Sequence, residues 1–289
     1  MAGKIGVIGG SGLYQIGGIE GVKSVSVRTP FGEPSGEFMT GTLEGVEVVF
    51  LPRHGRGHRL LPGEVNYRAN IYGMKELGVE RIISVSAVGS LKKELKPLDM
   101  VLPDQFVDRT NQAREMTFFG DGIAAHIPFA EPVCAELSKV LLEAGQKIGA
   151  TMHSGGQYLN MEGPAFSTKA ESKLYRSWGM DIIGMTNMAE ARLSREAEIC
   201  YSTLACVTDY DCWHMDEKEE QVSVEVIIQN LMKNVELSKK LIKTALPGIP
   251  KKASCSCRKA LESAIITSRD AISDKAKKRL DRIIGKYLK

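Results

Sequence analysis

The chain has 289 residues, of which 43% are hydrophobic and 25% are charged, and its net charge is +3. This apolar content is enough to fill one large core or two smaller ones, which excludes an intrinsically disordered protein. No segment approaches the roughly 20 consecutive apolar residues that a membrane-spanning helix needs, so we predict a cytoplasmic protein with no membrane partner.

Seven short apolar runs predict β-strands, and most of them end in Gly, Ser, Thr, Asp or Asn. In chain order they are KIGVIGG (4–10), VEVVFLP (46–52), ERIISVSAVGS (80–90), DMVLPDQFVD (99–108), GGQYLNME (155–162), DIIGMTN (181–187) and CYSTLACVTDYD (200–211). Five segments with helical spacing of apolar residues lie between them, at 66–78, 132–149, 168–179, 188–199 and 223–246. The alternation predicts an α/β fold with a central mixed β-sheet flanked by helices in a single domain.

Basic residues are concentrated near the C-terminus, where residues 251–289 hold 12 Lys and Arg against 4 Asp and Glu. Such a segment can bind nucleic acid or acidic membranes. Its apolar residues, however, recur at helical spacing: Leu261, Ile265, Ile272, Ala276, Leu280, Ile283 and Ile284. We therefore predict a main domain at 1–250, a basic helical extension at 251–289 packed on it, and no nucleic-acid partner.

The six cysteines are Cys134, Cys200, Cys206, Cys212, Cys255 and Cys257. None has the C-x-x-C spacing with nearby histidines that indicates a zinc site, so we predict no metal. Cys255 and Cys257 form a C-x-C pair that could be a redox switch, a tight disulfide ring, or two partners for cysteines elsewhere in the chain. Among these readings we favour a structural disulfide.

The first predicted strand ends in a glycine turn, VIGGSGLY (7–14). Glycines at 9, 10 and 12 free backbone N–H groups to bind an anion, and Ser11 adds a hydroxyl. Neither the G-x-G-x-x-G pattern nor a P-loop fits this stretch. Because ligands of open α/β sheets bind at strand ends, the turn is a candidate anion site, although a simple turn explains it equally well.

Further polar residues follow other predicted strands. Arg53 stands in LPRHGRGH (51–58), and its planar guanidinium suits phosphate oxygens. Serines at 84, 86 and 90 surround another glycine turn, and Thr186 follows DIIGM. Each could serve a turn alone, but together they predict a phosphate site built without a lysine and magnesium.

The stretch TDYDCW (208–213) places Asp209 and Asp211 directly after an apolar run. Acids at this position often cap a following helix or bind the N–H groups of a turn. The same two carboxylates at a strand end could instead bind a ligand through hydrogen bonds.

Four of these motifs in combination, RHGRGH, EGPAFST, GMTN and TDYDCW, resemble the purine nucleoside phosphorylase family over roughly residues 4–250. The chain is most similar to the branch that acts on S-methyl-5'-thioadenosine, and its C-x-C tail looks like that of archaeal, heat-adapted members. The resemblance implies reversible phosphorolysis to adenine and 5-methylthioribose 1-phosphate, a step of purine and methionine salvage. Inorganic phosphate would be a co-substrate, and no cofactor is implied.

The resemblance also assigns roles to individual residues. Asp209 would be the catalytic acid, protonated and donating to adenine N7, while Asp211 would accept from the exocyclic amine. His126 would reach into the site from a neighbouring subunit, which implies a homo-oligomer, either a trimer or a dimer of trimers. The remaining predicted contacts are Ser11, Arg53, His54, Ser86, Ala87 and Thr186 with phosphate, Phe166 and Ser167 with the base, Met185 with the ribose, and His58, His126, Val224 and Ile227 with the 5' group.

Several alternatives remain open from the sequence. The chain could be a broad or a 6-oxopurine nucleoside phosphorylase, and the 6-oxopurine type would typically carry an asparagine at the position of Asp209. A hydrolase that uses water would not need the phosphate site. Outside these enzymes, the chain could be a non-catalytic nucleoside-binding protein or a redox protein centred on Cys255 and Cys257.

Overall fold

The computed structural model of the protein describes residues 3–10, 12–13, 16–111, 113–214 and 224–288, with the backbone alone at 224–226. Its centre is strand β5, Val79–Ser90, which pairs in parallel with β1 (Lys4–Gly9) and β11 (Cys200–Tyr210). The short strand β10 (Ile182–Gly184) pairs antiparallel with the end of β5. Nearly every side chain of β5 and β11 is buried, as expected for strands covered on both faces.

The sheet extends in both directions from this centre. On one side, β1 pairs in parallel with β4 (Val46–Pro52), followed by antiparallel β3 (Phe38–Leu43) and β2 (Glu20–Val25). On the other, β10 is parallel to β9 (Gln157–Met161), which is parallel to β7 (Gln105–Arg109). β11 also pairs antiparallel with β6 (Met100–Leu102), which in turn pairs in parallel with β8 (Met152–Ser154). The predicted mixed sheet is therefore confirmed.

All five predicted helices are present: α1 (Tyr67–Glu76), α2 (Ala135–Lys147), α3 (Lys169–Ser177), α4 (Asn187–Glu196) and α5 (Val224–Ala245). Capping residues in the sequence explain where two of these helices begin. Asn66 caps α1 by accepting a hydrogen bond from the backbone N–H of Ala69, and Thr168 forms a capping box with Glu171 at α3.

Two apolar cores lie on opposite faces of the sheet, and β4 contributes to both. Val49 and Leu51 point into the core that includes α1, α4 and the C-terminal segment, whereas Val48 and Phe50 point into the core that includes α2 and α5. This alternation follows from the period of two in a strand. The two cores cover the sheet with helices on both sides, which leaves the strand ends as the place for a site.

Parts of the sheet escaped the sequence prediction. Strands β2, β3 and β8 were missed, and the run at 99–108 forms two separate strands, β6 and β7. β2 was missed because five of its six residues are exposed and the sixth is half-buried, so it has no apolar alternation to detect. Among the described helices, none is long and apolar enough to cross a membrane.

The C-terminal segment is less regular than the helical spacing predicted. It forms 3-10 helices at Ser256–Lys259, Arg269–Ala271 and Gly285–Tyr287, and two short helices, α6 (Asp274–Arg279) and α7 (Asp281–Ile284). Its predicted apolar residues nevertheless pack into the first core. The apolar spacing therefore identified the buried residues, whereas turns interrupt the helix.

All six cysteines are free in the structure. The arrangement does not support the predicted structural disulfide. Four of the cysteines, at positions 134, 200, 255 and 257, nevertheless lie close together where the C-terminal segment meets the main sheet.

Candidate active site

A cavity of about 450 Å³ opens where β5, β10 and β11 end and where α4 begins. Its size is typical of a site for a small molecule. The predicted site residues that line it are Arg53, His54, His58, Ser86, Ala87, Phe166, Met185, Thr186, Asp209, Asp211 and Ile227. The fold thus brings together side chains that are up to 174 positions apart in the sequence.

A β-bulge places Asp209 in this cavity. The pairing of β11 with β5 shifts between Val207 and Asp209, so that Asp209 lies opposite Gly89. Such a bulge bends the strand and redirects the side chains that follow it. A Cβ atom at Gly89 would lie 3.2 Å from Ile183, which is a tight contact, and 3.5 Å from Asp209 Oδ2, which is an ordinary one, so the glycine mainly avoids crowding against Ile183.

The environment of Asp209 favours the protonated carboxyl. Burial raises its pKa, the negative charge of Asp211 raises it further, and a hydrogen bond from Thr208 opposes these two effects. The Thr208 hydroxyl lies 2.6 Å from Asp209 Oδ1 and 3.2 Å from the Val88 carbonyl oxygen, and its single proton can serve one of them at a time. The second oxygen of Asp209, Oδ2, is the one left to carry a proton towards a ligand.

Asp211 offers a hydrogen-bond acceptor. Its backbone N–H donates to the Ser90 carbonyl oxygen at 2.9 Å, which fixes the residue beside β5. Its Oδ2 atom is buried and has no hydrogen-bond partner among the described residues. Because a buried acceptor without a partner costs about 1–3 kcal/mol, a ligand N–H group that reached it would be bound favourably.

Helix α5 closes the cavity over the end of β11. The side-chain amides of Asn230 and Asn234 donate to the carbonyl oxygens of Thr208 and Val207, at 2.8 and 2.9 Å. Asn234 also lines the cavity, together with apolar residues of the same helix, Ile227, Leu231 and Val235. The sequence analysis missed these asparagines, although their i, i+4 spacing on one helix face was a usable signal.

Arg53 is buried at the opposite wall, beside a carboxylate that the sequence analysis also missed. Its Nε lies 2.5 Å and its Nη2 3.1 Å from the two oxygens of Glu190. Two more bonds join Arg53 to Ser84 Oγ (2.7 Å) and to the Val85 carbonyl oxygen (3.0 Å), which leaves one of five N–H donors for a ligand. Burial alone lowers the pKa of Arg53, but Glu190 raises it above the usual value, so the side chain stays cationic.

A second source of positive potential is the start of α4. Thr186 occupies the N-cap position and its side chain makes no capping hydrogen bond to the described backbone. The backbone N–H of Met188 already donates to Asn160 Oδ1, at 3.0 Å, so the remaining N–H groups of the first turn and the helix dipole are what favour an anion here. Together with Arg53 and the buried Ser86 hydroxyl, this end of the cavity suits a phosphate.

His54 is held as a neutral acceptor at the same wall. Its Nδ1 lies 2.8 Å from the Leu60 carbonyl oxygen, so Nδ1 carries the proton in that bond. Burial, followed by the charge of Arg53, lowers the pKa of His54 to about 4. Its ring stacks on His58 with centroids 4.3 Å apart. Neutral His54 can accept a hydrogen bond through Nε2, for example from a phosphate hydroxyl.

The other predicted residues lie in different places. Phe166 is 68% exposed at the cavity edge, and Met185 is half-buried in its wall. Ser167 points its hydroxyl at the Met161 sulfur, 3.9 Å away, and does not line the cavity. His126 is exposed and also lies outside the cavity of its own chain. Ser11 and the side chain of Val224 fall outside the described residues. The roles predicted for Ser167, His126, Ser11 and Val224 stay predictions.

Comparison with known proteins gives consistent matches over almost the whole chain. The model of the phosphorylase superfamily matches residues 4–247. An S-methyl-5'-thioadenosine phosphorylase from the bacterium Geobacter sulfurreducens is 61% identical, over 98% of this chain and 99% of its own.

Solved structures of related proteins also match almost the whole chain. The structure of a methylthioadenosine phosphorylase from an Antarctic soil metagenomic library superposes with a TM-score of 0.92 at 50% identity, covering 98% of this chain and 99% of the other. A variant of adenosine/methylthioadenosine phosphorylase from Schistosoma mansoni, in complex with methylthioadenosine, gives a TM-score of 0.81 at 34% identity, with 90% and 96% covered.

Proposed function

This chain belongs to the phosphorylase superfamily, and from that premise we propose that it catalyses the reversible phosphorolysis of S-methyl-5'-thioadenosine. Phosphate displaces adenine from the sugar and gives 5-methylthioribose 1-phosphate. The cavity described above has a hydrogen-bonding end for a purine, a cationic end for phosphate, and an apolar wall on α5.

The purine would be bound at the end of β11. The bond between C1' and N9 breaks with its electron pair moving to the purine, and Asp209 donates its proton to N7. The ionised Asp211 accepts from the exocyclic amine, which satisfies the buried oxygen that has no partner in the described part of the chain. Burial raises the pKa of Asp209, which favours the protonated acid before the step, and general acid catalysis of this kind contributes ~10²- to 10⁴-fold.

Phosphate would be bound between Arg53, Ser86 and the N-terminus of α4. One phosphate oxygen forms the new bond to C1', while the negative charge of the phosphate stabilises the positive charge that develops on the sugar. Arg53 and Glu190 together carry no net charge, so much of the attraction falls to the remaining Arg53 N–H donor and to the helix dipole. In this proposal Asp209 and phosphate supply the chemistry, and the reaction uses no cofactor.

The methylthio group would pack against α5. Ile227, Leu231 and Val235 line the cavity, and an apolar wall of this kind favours a thioether over a hydroxyl at the 5' carbon. The ratio of kcat/KM for methylthioadenosine to that for adenosine measures this preference.

The remaining expectations are proposals as well. We propose a cytoplasmic homo-oligomer, a trimer or a dimer of trimers, in which the exposed His126 reaches a neighbouring site. Light scattering coupled to size-exclusion chromatography tests the number of subunits. Thermal unfolding of the protein tests the proposed heat adaptation. The expected similarity to archaeal members has no support, because the relative described above is bacterial.

The observation that carries the proposal is the pairing, in one cavity, of Asp209, whose pKa is raised by burial, with an Asp211 oxygen that still needs a donor. The experiment is to measure adenine release from methylthioadenosine with and without phosphate. We expect release that depends on phosphate and forms an equal amount of sugar phosphate. Release that is unchanged without phosphate would identify a hydrolase, and binding without release would identify a nucleoside-binding protein.

A further inference from the structure

Four cysteine sulfurs, from Cys134, Cys200, Cys255 and Cys257, lie within 4.8 Å of one another. They come from three segments: the residue before α2, the first residue of β11, and the turn at the 3-10 helix Ser256–Lys259. In the part of the chain that the structure describes, this is the one group of three or more His, Cys, Asp or Glu side chains with that spacing. We propose that these four cysteines bind one zinc ion in a tetrahedral site that fastens the C-terminal segment to the main sheet.

The spacing of the sulfurs fits a zinc ion. With Zn–S bonds of about 2.3 Å, the sulfurs of a tetrahedral site lie about 3.8 Å apart. Here the Cys200 and Cys255 sulfurs are 3.3 Å apart, and no pair in the group exceeds 4.8 Å. A disulfide needs sulfurs about 2.0 Å apart, and all six cysteines are free.

Burial indicates a structural site rather than a catalytic one. Cys134, Cys200 and Cys257 are exposed by 2%, 0% and 5%, within the core between the sheet, α2 and α5. Four protein ligands in such surroundings leave no open coordination position for a substrate. Cys200 and Asp209 also stand at opposite ends of β11, nine residues or about 30 Å apart.

The surroundings of the sulfurs hold the ligands in place. Cys134 is the N-cap residue of α2. Two residues further, Glu136 accepts hydrogen bonds from the backbone N–H of Ser254, at 2.9 Å, and from its hydroxyl. Glu136 also forms an ion pair with Arg81, at 3.7 Å. These outer contacts fix the segment that leads into Cys255.

Binding would be coordination without oxidation. Each of four thiols loses a proton, and one zinc ion takes up four thiolates, so four protons are released per ion. A soft ligand set of four sulfurs selects zinc over magnesium or calcium. The ion would join the start of α2 and the start of β11 to a segment that otherwise attaches through turns and short helices.

The test is the metal content of the full chain, purified with a reducing agent and without a chelator. We expect about one zinc per chain by mass spectrometry of the elements. After zinc is removed, added Co²⁺ should give the sulfur-to-cobalt charge-transfer bands and visible bands of a tetrahedral thiolate site. Wild-type protein that contains no zinc and gives no such cobalt spectrum would overturn the proposal, as would disulfides among these four cysteines in freshly prepared, metal-free protein.

A matched pair of variants assigns the ligands. Cys257→Ser should lose the bound zinc, whereas Cys206→Ser, which removes an equally buried cysteine outside the cluster, should retain it. Equal zinc content in the two variants would refute the ligand set. If Cys257→Ser fails to fold, the cobalt spectrum of the wild type still decides. The readout does not involve phosphorolysis, so this proposal and the proposed function can fail independently.

Discussion

Asp209→Asn is the sharpest test of the site, because it keeps the size of the side chain and removes its transferable proton. The amide can still accept from Thr208 and can still donate a hydrogen bond to N7, but it cannot protonate the purine. The loss of a general acid corresponds to ~10²- to 10⁴-fold in kcat. This equals about 2.7–5.4 kcal/mol in the activation free energy.

The pH profile separates catalysis from binding in that experiment. Burial raises the pKa of Asp209, so wild-type kcat/KM should fall as the pH rises through that value, because the ionised form has no proton to give. Asp209→Asn should lack this alkaline limb. It should also spare 6-oxopurine nucleosides relative to adenine nucleosides, since an asparagine can donate to O6.

The neighbouring acid provides the matched control. Asp211→Asn makes the same replacement of side chain in the same cavity, but it affects an acceptor rather than the proton donor. We expect it to raise KM for methylthioadenosine more than it lowers kcat. The reasoning is refuted if Asp209→Asn retains the alkaline limb, or if it lowers activity on adenine and 6-oxopurine nucleosides equally.

Two further changes test buried groups at the site, and a third tests the buried Glu196 at the opposite end of α4. Arg53→Lys keeps the charge beside Glu190 but loses the planar fork, so the phosphate KM should rise ~10- to 100-fold while the nucleoside KM changes little. The control is Arg56→Ala, which removes an exposed arginine of the same loop. Equal phosphate KM values in the two variants would contradict the phosphate site. Glu190→Gln leaves Arg53 without its counter-charge and should lower the free energy of unfolding by about 3–5 kcal/mol in denaturant titrations; an unchanged midpoint would argue against the pair. Burial raises the pKa of Glu196 from 4.5 to about 7, so the folded state favours its protonated form, and this group's stabilisation of about 3 kcal/mol should be lost as the pH rises through 7. Glu196→Gln should flatten that part of the stability curve, and a curve as steep as that of the wild type would exclude this origin.

Much of the architecture was determined by local sequence signals. The run 46–52 predicted β4 to the residue, because Val48 to Leu51 alternate between two cores and both faces are apolar. The five helices followed from the apolar spacing of their residues. Strand ends also predicted polar residues of the cavity, namely Arg53, Ser86, Thr186, Asp209 and Asp211, because ligands of open α/β sheets bind where strands end.

Other features depended on contacts between distant segments. Glu190 looked like one more acid on the amphipathic helix α4, and only the fold places it against Arg53, 137 positions earlier. The raised pKa of Asp209 arises mainly from burial, which depends on the segments that pack around the end of β11 and leaves no mark in the local sequence. The four cysteines are spread over 124 positions, so no spacing rule could join them. The sequence alone determined the helices and strands, because the causes of these elements are local. The tertiary structure decided which charges interact and which sulfurs lie together, because Coulomb interactions and metal coordination depend on distance in space.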